Sequence, residues 1–236
     1  MNYKFREYNW ILKDMLTEED TIDNVLTRYL DSKPSREQKK ILKNPEEWAK
    51  YAFENESQYY VTFYNEENKP FVCVNFKKIS INLTFLEHNK NNELVEHLRM
   101  VYDRYDIMHW LDKDEYKPHL KNKLFLKQIE VFHENEKEKN TYKALFIQKN
   151  KIMRVSTTKM NKDTKTYSNE KKETKVNLSH NFIEPPKHYL DYEHLFDYNE
   201  ILKPEYLDIP LNKKDFIFKN GTRYYKDEQG NLIEDN

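Results

Sequence analysis

His88, His97, His109 and His119 lie close together in the chain, and imidazoles four residues apart on one helix face would be a metal site. None of these four is at that spacing from another, and no His-Glu-x-x-His occurs. His188 and His194 bracket Asp191 and Glu193 without forming a standard ligand set, so no metal and no cofactor is expected. Carboxylates are more suggestive: Asp103 and Asp106, then Asp112, Asp114 and Glu115, with Lys117 just beyond. Two carboxylates can hold magnesium while a lysine stabilises a pentavalent phosphate, which makes a magnesium-dependent nuclease, with Asp103, Asp106, Glu115 and Lys117 around the ion, one alternative. Such groups normally project from adjoining strands, whereas here they fall at the end of a helical pattern and in a loop closed by Pro118. A solvated acidic helix face accounts for the same letters.

Nucleophilic chemistry has less to build on. The chain of 236 residues contains only two glycines, Gly221 and Gly230, so phosphate cradles, dinucleotide turns and nucleophile elbows in their usual form are excluded. The single cysteine, Cys73, sits in the apolar run Phe71 to Phe76 and reads as a small buried hydrophobe; with no second cysteine there is no disulfide. The protein is therefore expected not to be an enzyme.

Forty basic against 41 acidic residues give a net charge of -1, no field to draw in nucleic acid or an anionic membrane. Hydrophobic residues at 37% and charged residues at 34% describe a polar chain, yet 14% aromatics place it among folded proteins, with Tyr and Phe supplying the core. The amino terminus has no uninterrupted apolar run, and no segment approaches the length that spans a bilayer. A cytoplasmic protein without membrane contact is expected.

The elements follow from periodicity. Four short helices are expected in the first fifty or so residues: a stripe of Trp10, Ile11, Met15 and Leu16; a second of Ile22, Val25, Leu26, Tyr29 and Leu30 capped by Thr21; one opened by the Ser35/Gln38 capping box; and one opened by Asn44-Pro45. Tyr59–Tyr64 and Phe71–Phe76 then read as a hairpin, with Ile79–Phe85 as a third strand. Leu94, Leu98, Val101, Tyr102, Tyr105 and Met108 share a helical face and predict one long helix. Strands at 124–132, 142–148 and 151–158 are antiparallel because their connections are too short for crossovers. Residues 159–177 are a long exposed hairpin of lysine-protected edge strands or a mobile loop. The tail predicts strand, turn at Asn220-Gly221, strand. The fold class is α+β: short N-terminal helices, an antiparallel sheet interrupted by one long helix, and a C-terminal hairpin. It forms a single domain over 1–236, with a possible division at 118/119.

Two stretches invite macromolecules. Lys149, Lys151, Arg154, Lys159, Lys162, Lys165, Lys171, Lys172 and Lys175 could follow a phosphate backbone, making a nucleic-acid-binding phage or mobile-element protein the alternative function. From Pro185 to Leu202, Tyr189, Tyr192, His194 and Tyr198 alternate with Asp191, Glu193 and Asp197, a set in which aromatics anchor a partner while carboxylates meet its basic groups. An amphipathic helix burying those aromatics would look similar. Asp103 and Asp106 on the acidic helix face are the second candidate contact surface.

The tail Arg223 to Ile233, with Tyr224, Asp227, Gly230, Asn231 and Leu232, resembles one unit of the tyrosine-aspartate hairpin repeats found around bacterial polymorphic toxins. The whole chain resembles the immunity proteins of those systems. That resemblance implies stoichiometric binding and neutralisation of a cognate protein toxin, with specificity carried by aromatic anchors and complementary charge.

Overall fold

The computed structural model describes residues 2–28, 33–107, 117–134, 138–148, 150–196, 216–219, 222–226 and 232–234. Strand β1 (Asn2–Lys4) is followed by the two-residue pair β2 (Tyr8–Asn9) and β3 (Asp14–Met15), then helices α1 (Glu18–Arg28), α2 (Arg36–Ile41) and α3 (Pro45–Glu54). Strands β4 (Tyr59–Tyr64), β5 (Pro70–Phe76), β6 (Ser80–His88) and β7 (Leu94–Arg104) come next, then β8 (Leu124–Glu134), β9 (Glu138–Ile147), β10 (Ile152–Asn161) and β11 (Tyr167–Lys175). The short strand β12 (Phe182–Ile183) pairs with the start of β8. Apart from the separate β2–β3 pair, these strands form one ten-stranded sheet among the described residues, nine in the order β1-β4-β5-β6-β7-β8-β9-β10-β11 with β12 beside β8, antiparallel at every step. The class is broadly α+β and dominated by sheet. No helix among the described residues is long and apolar enough to cross a membrane.

The capping signals act as written. Ser35 and Gln38 form a reciprocal capping box on α2, and the Asn44 side chain accepts from the amides of Glu46 and Glu47 to open α3 behind Pro45. Helix α1 starts earlier than Thr21, the expected cap. The Thr17 hydroxyl accepts from the Asp20 amide at 3.0 Å, while Thr21 is buried, donates to the Thr17 carbonyl and accepts from the Glu7 amide. The first expected helix is absent: residues 8–15 form the β2–β3 hairpin instead.

The long helix expected over 94–108 is also overturned, since Leu94–Arg104 is strand β7, paired with β6 and β8 along its length. Leu98, Met100 and Tyr102 are buried on one face at period two, with Leu94 buried beyond a register shift, and the four-residue spacing of Leu94, Leu98 and Tyr102 also fits a helix. The sheet is consequently uninterrupted there. Met108 lies outside the described residues. On the same face, register aligns Ile81, Leu83 and Phe85 of β6 with Tyr102, Met100 and Leu98 of β7, and these with Leu126, Ile129 and Val131 of β8. All nine are buried and make the centre of the core.

Residues 159–177 take the first of the two readings offered for them: β10 and β11 pair without interruption from Ile152↔Lys175 to Met160↔Tyr167, with β11 exposed throughout as the sheet edge. In the tail, β13 (Phe216–Lys219), β14 (Thr222–Lys226) and β15 (Leu232–Glu234) form a separate antiparallel sheet, one strand more than the expected hairpin.

α3 is fixed to this sheet by Trp48, which is 1% exposed and donates through Nε1 to the Gln58 carbonyl at 3.1 Å, and by Phe53 against Phe76. Across the sheet, the hydroxyls of Tyr59 and Tyr192 share a hydrogen bond of 2.5 Å, and Tyr59 lies 3.1 Å from the Tyr189 carbonyl. Burial raises both phenols far above their ordinary range, so they stay neutral donors. Tyr59→Phe leaves the Tyr192 hydroxyl buried without a partner; chemical denaturation should show a loss of about 1–3 kcal/mol.

Candidate functional site

The segment singled out for partner contact faces the wrong way for most of its aromatics. Tyr192 and Phe196 are buried and pack edge-on against Phe63, with Phe196 also against Phe71, around a single 3-10 turn at Glu193–Leu195. Tyr192 is thus a core residue and no accessible anchor. Tyr189 stacks on Phe5 and donates to Glu46, lowering the Glu46 pKa, while Asp191 accepts from the Lys187 amide. Glu193 and His194 remain exposed, His194 sharing a hydrogen bond with the Glu184 carbonyl. Asp197 and Tyr198 lie outside the described residues.

The acidic helix face does not form either. Asp103 is on β7, 2.6 Å from Lys127, and Asp106 lies beyond the strand and accepts from the Asn122 amide. Glu115 lies outside the described residues, and no group of three His, Cys, Asp or Glu among those described could hold a metal. The basic strip is divided by the pleat: Lys159 and Lys172 point to one side, Arg154, Lys171 and Lys175 to the other, by the register of β10 and β11. Arg154 is paired with Glu173 at 2.6 Å and Lys162 with Glu134 at 2.7 Å; Lys149 lies outside the described residues.

What sequence reading missed is the tip of the β2–β3 hairpin. Trp10, Ile11 and Leu12 are 68%, 70% and 67% exposed, three consecutive large apolar side chains in solvent. Their backbone is held rigidly: the Asn9 side-chain carbonyl accepts from the amides of Ile11 at 2.9 Å and Leu12 at 3.1 Å, and Lys13 closes the turn in the left-handed region at φ 51°. Two ties fasten the hairpin to the β6–β7 end of the sheet, and a third joins its base to the segment after β1. The Tyr8 hydroxyl donates to the Leu94 carbonyl at 3.0 Å, Lys13 meets Glu93 at 2.7 Å, and Arg6 donates to the carbonyls of Met15 and Leu16. Burial, with Glu96 nearby, pushes the Tyr8 phenol up to about 12.

The hairpin leans over two matched turns. In Asn65–Lys69 and Asn89–Glu93 the first Asn accepts from the amide four residues on, and the fourth residue, Asn68 or Asn92, is left-handed at φ 59° or 61°. Asn tolerates that region where glycine would ordinarily stand, and the shared Asn-x-x-Asn spacing was a readable signal. Between the turns and the hairpin lies a cleft of about 480 Å³, lined by Lys4, Arg6, Lys13, Tyr64, His88 and Glu93, with Leu12 at its rim.

Lys13 and Asn89 hold the Glu93 carboxyl below its ordinary 4.5, and Glu93 raises Lys13 above 10.5. A lowered carboxylate contributes stability above its unfolded pKa that is lost as pH falls through the folded value; a raised lysine contributes below 10.5 and loses it as pH rises further. The tie is therefore complete between those ranges and fails at both ends. Amide exchange of residues 8–15 should accelerate below about pH 4 relative to that of β6, in excess of the chemical rate.

The chain matches no family model, no curated protein and no solved structure in the comparisons made.

Proposed function

We propose that the protein is a non-catalytic protein-binding protein whose anchor is the Trp10-Ile11-Leu12 tip. The observation that carries this is the exposure of three adjacent large apolar side chains on a backbone pinned by Asn9. Exposed single apolar residues are ordinary, but a preorganised cluster led by Trp has the composition of a binding hot spot and little ordering entropy left to lose. A bilayer is the less suitable occupant: Lys13 is paired with Glu93, and the exposed carboxylate of Asp14 follows directly on it. The resemblance to immunity proteins makes toxin neutralisation in the cytoplasm the specific form of this reading, and the partner a cognate toxin.

Two experiments test it. Tagged protein purified from its native cell should carry one stoichiometric protein that the serine triple variant at positions 10–12 fails to retain. Co-expression with the protein encoded immediately upstream should restore growth for the wild type and not for that variant. Equal retention by both proteins would rule out the tip as anchor; absence of any stoichiometric partner would remove the protein-binding reading itself.

A further inference from the structure

Resting on the protein-binding reading, we infer that the cleft beside the apolar tip is a carboxylate-binding site that receives an acidic side chain of the partner. Tyr64 lines the cleft and is only 4% exposed; the one side chain set to hydrogen-bond its hydroxyl is the Arg6 guanidinium, itself a donor, so the phenol O–H has no acceptor. Native proteins rarely leave a buried hydroxyl unsatisfied, so a donor without an acceptor at a cleft wall marks a place for one. Two cations stand beside it. The Arg6 guanidinium opposes the rise that burial imposes on the Tyr64 phenol, and the Lys4 ammonium lies 5.1 Å from the centre of the Tyr64 ring. Neither Lys4 nor Arg6 has a carboxylate within ion-pair distance among the described residues, although Asp14 and Glu93 also line the cleft.

Three cations, Lys4, Arg6 and Lys13, against those two carboxylates leave one positive charge to neutralise, before His88 is counted. A monoanion that accepts from a phenol and from a guanidinium satisfies both deficits, and a carboxylate does so with its two oxygens. Leu12, Met15, Pro70 and Leu94 provide apolar wall for the methylenes that carry it. The partner is thereby specified further: an apolar pocket for Trp10, Ile11 and Leu12, with a Glu or Asp at its rim.

The test uses full-length protein labelled with ¹³C at tyrosine Cζ, the Tyr64 signal being the one lost in Tyr64→Phe. Titration with N-acetylglutamate α-amide should shift that signal saturably, with Kd on the order of 1 mM for a ligand of this size. N-acetylglutamine α-amide should bind at least about tenfold more weakly, and Lys4→Gln should weaken the acid by a similar factor. No saturable shift, an equal response to the amide, or tighter binding of inorganic phosphate would overturn the carboxylate assignment. Lys4→Gln should also weaken retention of the native partner; unchanged retention would overturn the partner as the source of the carboxylate. Failure in the titration with retention still dependent on Trp10 removes the cleft alone. Saturable binding with no partner retained by any variant removes the protein-binding reading alone.

Discussion

Serine at positions 10, 11 and 12 together abolishes partner binding and leaves the fold intact. The three side chains are about two-thirds exposed in the free protein, so their removal takes away almost no internal packing, and thermal stability should stay within about 0.5 kcal/mol of the wild type. In a complex the same side chains become buried, and a tryptophan anchor alone commonly accounts for about 2–4 kcal/mol, so the triple change should raise Kd by a thousandfold or more. Titration calorimetry against the purified partner, beside a melting curve, measures both halves. A companion change sharpens the cause: Asn9→Ala keeps every apolar atom yet frees the Ile11 and Leu12 amides from their acceptor. It should weaken binding by a smaller factor, through lost preorganisation, and a slower association would accompany it.

The second large effect concerns the fold. Trp48→Ala removes a side chain that is 1% exposed and packed at a tilt against Tyr51, and it leaves the Gln58 carbonyl without its indole donor. The cavity and the lost hydrogen bond together should cost about 3–5 kcal/mol in urea denaturation. For a chain of this length that corresponds to a fall in Tm of roughly 10 °C. Trp48→Phe fills most of the space and keeps the ring contacts, so it should recover more than half of the loss. Because Trp48 stands remote from the hairpin tip in sequence and in packing, Trp48→Phe should bind the partner with wild-type affinity.

Where the chain's own local chemistry decides the structure, the residues declare it. The Ser35/Gln38 box, Asn44-Pro45 and the alternation in Ile81, Leu83 and Phe85 depend on near neighbours, and each element stands where these place it. Strand β7 does not depend on near neighbours alone. Leu94, Leu98 and Tyr102 satisfy a helical period and a strand period at once, and only pairing with β6 and β8 chooses between them. The stretch at 189–196 misleads for a related reason. Its alternating aromatics and acids describe a two-sided segment, but which side meets the protein follows from Phe63 and Phe71, more than a hundred residues away in the chain. At the hairpin tip the apolar letters suggested a buried stripe, whereas the pairing of β2 with β3 leaves them in solvent. The site was therefore least visible where apolar residues are left in solvent instead of being packed in the core.

A photo-crosslinking residue at position 11, with the same residue at Ser168 on the exposed edge strand as control, tests the central claim in the living cell. One discrete protein adduct is expected from position 11 and none from position 168. An adduct from position 168 alone, or cross-linking of position 11 only to lipid, would contradict it.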